Sequence, residues 1–204
     1  MFFSFDGIDG VGKTTQMQLF CRWLAERQFE VVACRDPGST PLGERVREIL
    51  LASGPETPIS ARSEMLLYMA ARAQLVEEVI RPALAAGKTV VSDRFLLANV
   101  VYQGYAGGLD KVAVREVGRV ATDGVLPDCI FLLDMSPQAA LVRMGTQLDR
   151  MESRGDEYRE RLRAGFLQEV GEWGGTVHVI AADRSVDAIQ QDIRALAQRL
   201  LETA

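Results

Sequence analysis

Short, nearly unbroken apolar runs alternate along this chain with longer stretches in which apolar residues recur every three or four positions. Phe2–Phe5, Val31–Cys34, Thr89–Ser92, Cys129–Leu133 and Val177–Ala181 are rich in aromatic and β-branched side chains and read as buried strands. Met17, Phe20, Cys21 and Leu24 share one face of a helix at i, i+3, i+4, i+7. Met65, Met69, Val76 and Ile80 do the same on a longer helix expected to end near Pro82 and Gly87, and Val186, Ile189, Ile193, Leu196 and Leu200 build a last helix. Strands that are apolar without alternation are covered on both faces, as in parallel sheets with helical crossovers. The pattern therefore predicts an α/β three-layer α/β/α sandwich. Met144 to Asp156 breaks it. With Gly145, Asp149, Arg150, Glu152, Arg154, Gly155 and Asp156, this stretch has too little apolar surface to join a core. It reads either as a solvated connection or as a charged, mobile lid over a ligand, at about 144–157 of one domain spanning 1–204.

The first strand runs into Gly7-Ile8-Asp9-Gly10-Val11-Gly12-Lys13-Thr14, which fits G-x-x-x-x-G-K-[ST] between a strand and a helix. Glycines let such a turn approach a phosphate closely, and its backbone N–H groups, with the positive end of the helix, converge on that anion. Lys13 would neutralise the β- and γ-phosphates of a nucleoside triphosphate, and Thr14 would offer its hydroxyl to Mg²⁺. The binding segment is Gly7, Ile8, Asp9, Gly10, Val11, Gly12, Lys13, Thr14 and Thr15. The motif identifies the ligand class and leaves the reaction open.

Composition removes several alternatives. The 204 residues carry 23 Lys and Arg against 28 Asp and Glu, a net charge of −5, which argues against broad binding to nucleic acid. Cys21, Cys34 and Cys129 form no CxxC pair, and their odd number precludes a complete disulfide framework. They read as small buried hydrophobes. His178 is the only histidine and sits in an alternating run, as a strand residue would, so a His-rich metal site and a Ser/His or Cys/His pair are disfavoured. No apolar run reaches a membrane span, and Met1–Asp6 lacks a basic signal-peptide start. The expectation is a cytoplasmic protein without membrane partners. A guanine-specific N-K-x-D motif is missing, which weighs against a P-loop switch protein.

Seven segments, in order, resemble the thymidylate kinase family along nearly the whole chain. Phe5-Asp6-Gly7-Ile8-Asp9-Gly10 is similar to its opening, and Arg35-Asp36-Pro37-Gly38-Ser39-Thr40 to its R-E-P-G-G-T segment. Ala70 to Val76 is similar to A-A-R-x-Q-L-V. Ser92-Asp93-Arg94-Phe95 and Tyr102-Gln103-Gly104 resemble its D-R-[YFH] and Y-Q-G pair. Pro127-Asp128 before Leu133-Asp134, and Asp149-Arg150-Met151-Glu152 running to Tyr158 and Phe166, complete the set. Asp36 stands where the family usually has glutamate, Ser39 where it has glycine and Tyr68 where it has phenylalanine.

The resemblance implies a P-loop NTP hydrolase/kinase fold with five parallel strands in order 2-3-1-4-5, and a homodimer. It implies transfer of the γ-phosphoryl of ATP to dTMP, giving dTDP and ADP, with Mg²⁺ as cofactor. The acceptor is already an oxyanion, so no general base is needed, and catalysis rests on alignment and charge neutralisation. Arg94 would clamp the acceptor phosphate. Tyr68 would stack on thymine, Arg72 would bond its O4, and Asn99 and Gln103 are further base contacts. Asp9 would bind the 3′-OH and is also a candidate for Mg²⁺, and Tyr102 would crowd the 2′ position. Asp93 would either pair with Arg94 or hold a magnesium-bound water. Val11 brings no charge, so a lid arginine is expected to reach the transferred group: Arg150 first, then Arg143 and Arg154. A nucleoside monophosphate kinase of other base specificity is the competing reading.

Overall fold

The computed structural model describes residues 1–52, 57–144 and 155–202. Five strands, β1 (Phe2–Asp6), β2 (Val31–Arg35), β3 (Thr89–Asp93), β4 (Cys129–Asp134) and β5 (Val177–Ala181), form one sheet in the order β2-β3-β1-β4-β5. Every pairing is parallel. Helices α1 (Lys13–Glu26) and α9 (Val186–Leu201) cover one face; α3 (Ala61–Leu75), α4 (Arg81–Ala85) and α6 (Lys111–Thr122) cover the other. Alternation along β1 feeds both layers. Phe3 and Phe5 enter an aromatic cluster with Phe20 and Phe131, at centroid distances of 5.1–5.8 Å. Phe2 meets Phe95 edge-on at 5.1 Å on the opposite side. Each such ring contributes roughly 1.5–3 kcal/mol on burial.

Four strands run one residue beyond their apolar runs, onto Asp6, Arg35, Asp93 and Asp134. Register puts Asp93 level with Phe5 and Arg35, and Asp6 level with Leu132. A charged rim thus forms at the C-terminal edge of the sheet, where open α/β sheets take their ligands. The edge strands are less covered than their composition suggests: Val31 and Val32 are half-buried, Ala33 is exposed and Val179 is 46% exposed. Cys34 and Cys129 are buried and Cys21 is half-buried, so the buried reading of the cysteines holds for two of three. His178 lies half-buried in β5, where burial and then Arg199 lower its pKa.

The long helical stretch does not stop at Pro82. It widens into a π turn over Val76–Ile80 and continues as α4 to Ala85. The wider turn relieves the clash a proline ring makes with the preceding carbonyls, so the chain passes through Pro82. It ends at Gly87, whose φ of 73° suits a left-handed cap; Lys88 N–H donates to Ala83 O at 3.0 Å. The remaining helices are α2 (Pro41–Ala52), α5 (Leu96–Asn99) with a π segment over Val100–Ala106, α7 (Pro137–Arg143) and α8 (Asp156–Glu169). The side chains of Ser60, Asp110, Ser136 and Ser185 cap α3, α6, α7 and α9. The expected lid residues Gly145, Asp149, Arg150, Glu152 and Arg154 lie outside the described residues. Among the described residues no helix is long and apolar enough to cross a membrane.

Candidate active site

Local sterics fix the loop between β1 and α1. A Cβ on Gly7, at φ 132°, would collide with the carbonyl of Leu133; one on Gly10, at φ 83°, would collide with that of Ala140. The two glycines thus let the loop sit directly on β4 and α7. Gly12 caps α1. Lys13 folds back over the loop, its Nζ donating to Ile8 O at 2.8 Å and Gly7 O at 3.2 Å and lying 3.5 Å from Asp9 Oδ1. Burial and the nearby Arg94 lower its pKa. Thr14 and Thr15 are exposed, and Thr14 Oγ1 donates to Asp93 Oδ2 at 3.2 Å.

A cavity of about 1180 Å³ opens over this loop, lined by Asp9 to Met17 and, farther out, by Arg143, Arg184, Val186 and Ile189. Gly7 and Ile8 lie beneath it, their carbonyls turned to Lys13. Arg143 Nη1 donates to Ala182 O at 3.0 Å, and Arg184 Nε to Ala181 O at 3.2 Å while pairing with Asp192. Val186, placed by its spacing on the core stripe of the last helix, is 46% exposed at this wall.

A smaller cavity of about 100 Å³ adjoins it, lined by Tyr68, Arg72, Asn99, Tyr102 and Gln103; Asp9, Asp36, Arg47 and Arg94 line both. All the acceptor-side residues expected from the sequence therefore converge on one cavity. Arg94 forms the shared wall. Its φ of 66° is left-handed, a conformation costing of order 1–3 kcal/mol outside glycine. Arg94 N–H donates to Phe5 O at 2.9 Å, and its carbonyl accepts from Ser92 Oγ at 2.7 Å, which holds the bend. The bend returns the guanidinium over the loop: Nη1 donates to Gly7 O at 2.8 Å, and Nη2 bonds Asp9 Oδ1 and, at 3.0 Å, Tyr102 Oη.

Tyr102 Oη in turn donates to Asp9 Oδ2 at 2.9 Å. Burial pushes the Asp9 carboxyl up, but Arg94 and Lys13 outweigh it and hold it well below the usual carboxylate range. Asp93 is joined to Thr14, and Asp9 is the acid that pairs with Arg94. Beneath them Asp6 is wholly buried, with Oδ1 lacking a partner among the described residues; burial, opposed by Arg94 and Lys13, raises its pKa to about 7.

Arg72, buried at the floor, donates from Nε to Asp36 Oδ2 at 2.5 Å and from Nη2 to Phe95 O at 3.3 Å. Burial raises the Asp36 pKa against the pull of Arg72. Tyr68 is half-buried one turn earlier on α3. Arg47 and Arg184 carry no mark in the sequence that sets them apart. Asp36 is legible only as a departure within a loop motif, and an arginine on an amphipathic helix (Arg47) or in a short connection between strand and helix (Arg184) gives no local signal. Arg150 and Arg154, expected from the sequence to reach the transferred group, lie outside the described residues.

The model of the thymidylate kinase family matches residues 5–193. A thymidylate kinase of Rhodopirellula baltica is 44% identical over 191 residues, 94% of this chain and 77% of that one. A thymidylate kinase of Exiguobacterium sp. is 42% identical over 195 residues, 95% and 92% of the two chains. The crystal structure of thymidylate kinase from Ehrlichia chaffeensis superposes with a TM-score of 0.79 at 30% identity, covering 97% of this chain and 98% of that one. With its glycine loop, its charged sheet rim and its two adjoining cavities, the chain belongs to the thymidylate kinase family.

Proposed function

We propose that the larger cavity holds ATP and the smaller one dTMP, so that the family's reaction, ATP plus dTMP giving ADP plus dTDP, runs across the wall they share. The observation that carries this reading is Arg94, which lines both cavities and points a planar two-pronged donor between them. Guanidinium geometry suits a phosphate that must be held in line. On arrival the acceptor phosphate takes the place of Asp9 on Arg94, leaving Asp9 and Tyr102 beside the sugar, Asp9 for the 3′-OH and Tyr102 against a 2′-hydroxyl. Lys13, drawn back onto loop carbonyls, turns to the β- and γ-phosphates. No proton need be removed from the attacking oxygen, so alignment and charge account for the rate. Arg72 and Tyr68 serve the base, Arg72 at its O4 and Tyr68 by stacking, with Asn99 and Gln103 beside them.

The donor set at the loop suits Mg²⁺: a threonine hydroxyl and the Asp93 carboxylate are hard oxygen ligands beside a phosphate site. Thr14 and Asp93 would hold the ion, Asp93 through a water, with Asp9 as the further candidate. Bound there, Mg²⁺ supplies positive charge to the phosphates. Arg150, with Arg143 and Arg154 behind it, is the proposed lid contribution. Two further proposals follow the family: a homodimer, in which a second copy covers exposed apolar side chains such as Leu66 of α3 and Val112 and Val120 of α6, and residence in the cytoplasm.

The test is an acceptor panel of dTMP, dUMP, dCMP, AMP and UMP with ATP and Mg²⁺. A clear preference for dTMP is expected; preference for a nucleotide outside the thymidine type would overturn the base assignment.

A further inference from the structure

Gln16 stands on α1, three residues after Lys13, and is 1% exposed. Its Nε2 donates to Val186 O at 3.1 Å. Its Oε1 accepts from Gln190 Nε2 at 2.7 Å, and the same Nε2 donates to Gln16 O at 2.7 Å. Gln190 Oε1 in turn accepts from Arg194 Nε at 3.0 Å. The direction of this relay is fixed at both ends: a guanidinium only donates and a carbonyl only accepts, so each amide between them has one orientation. It ends on a turn with little apolar hold. Asp183 to Asp187 are all exposed, and the first buried apolar side chain of α9 is Ile189. Val186 and Arg184 stand at the outer wall of the larger cavity, and Gln16 lines it nearer the loop. At Val186 the tie to α1 is made by the main-chain carbonyl.

We propose that Gln190 and Gln16 are positioning residues for the phosphoryl donor: they fix the first turn of α9 to the phosphate-loop helix and so set the span from that loop to the outer wall, which the nucleoside part of the donor must match. The inference deepens, and rests on, the reading of the larger cavity as the ATP site. A ligand gripped only by its phosphates meets the loop alone, wherever the wall stands. A ligand held at both ends gains fully only while the two holds stay at its own length. Gln190, 3% exposed, acts through Gln16. Buried amides have no water to fall back on, so breaking one link leaves the next with an unpaired group and loosens the far end.

Gln190→Met and Gln16→Met keep most of the side-chain length and cut the relay at two points. Calorimetry with Mg²⁺ and without dTMP compares ATP with methyl triphosphate, which carries the phosphates and no nucleoside, on wild type, Q190M, Q16M and the double variant. The affinity for ATP should fall roughly tenfold in each single variant, and that for methyl triphosphate should hold. The double variant should lose no more than the worse single one, because the two residues act as one unit. Equal losses on both ligands make the pair merely structural and overturn the proposal; so do losses that simply add in the double variant. A wild-type preference for ATP that survives in both single variants defeats the relay alone. A wild type that binds ATP no more tightly than methyl triphosphate defeats the reading of the outer wall as the nucleoside end. Should Q16M fold poorly, Q190M carries the comparison of the two ligands by itself, with the same expected fall.

Discussion

Arg94 and Asp9, 85 positions apart, form a hydrogen-bonded ion pair on the wall common to both cavities, with Tyr102 bonded to each. The pair holds the guanidinium over the loop, where the proposed acceptor phosphate would have to displace Asp9 to reach it. Arg94→Ala should lower kcat/KM for dTMP by at least roughly 10², and Arg94→Lys should recover little of it, because an ammonium cannot reproduce the fork. Steady-state kinetics with dTMP varied at saturating ATP checks this; full activity in the lysine variant would show that charge alone suffices.

Lys13 rests on the carbonyls of Gly7 and Ile8, in the wall of the larger cavity. Lys13→Ala should cut turnover far more than it weakens dTMP binding, as expected of an interaction that counts most in the transition state. Single-turnover rates beside calorimetric dTMP affinity separate the two effects. Turnover close to wild type would contradict the loop assignment.

Gly165 brings α8 against the π segment that carries Tyr102. A Cβ there would lie 2.8 Å from Tyr105 Cβ and 3.1 Å from Val101 Cγ1, and the next residue, Phe166, packs edge-on against Tyr102 at 6.2 Å. Gly165→Ala should cost about 1–3 kcal/mol through overpacking and raise the KM for dTMP more than that for ATP. Thermal melting and the two KM values provide the check, and equal effects on both would place the strain elsewhere.

Asp6 gives a pH dependence with a definite sign. Burial lifts its carboxyl to about 7, against about 3.9 in an unfolded chain. Between those values the native state keeps a proton that the unfolded state gives up. The contribution to stability is complete below the lower value and is lost as pH rises through the upper one. The groups facing Asp6 are Arg94, Lys13, Asp93 and Ser4. Asp6→Asn should therefore gain in melting temperature relative to wild type on going from pH 5 to pH 8; a constant difference would mean that Asp6 does not titrate in this window.

The strands were legible because each is a contiguous run, and the phosphate loop because its eight motif positions are consecutive in the sequence. The strand ends at Asp6 and Arg35 were not, because both belong to the sheet by hydrogen bonding while their side chains read as those of a loop. Helix α8 was missed for a similar reason. Tyr158, Leu162 and Phe166 are its buried apolar side chains at i, i+4, i+8, set among arginines and glutamates. Pairs made only in space left no mark on the pattern: Asp36 with Arg72, Thr14 with Asp93, Glu64 with Gln103. Family resemblance named several of these residues, but which acid meets which base came only from the folded geometry. The acid beside Thr14 is Asp93, and the acid on Arg94 is Asp9.

The central claim is direct transfer between two nucleotides held side by side. It is tested by following the label of γ-³²P ATP in the presence of Mg²⁺, with and without dTMP. Label should appear in dTDP, one phosphoryl for each dTMP consumed, and little should be released when dTMP is omitted. Label appearing chiefly as inorganic phosphate, at a rate indifferent to dTMP, would contradict it.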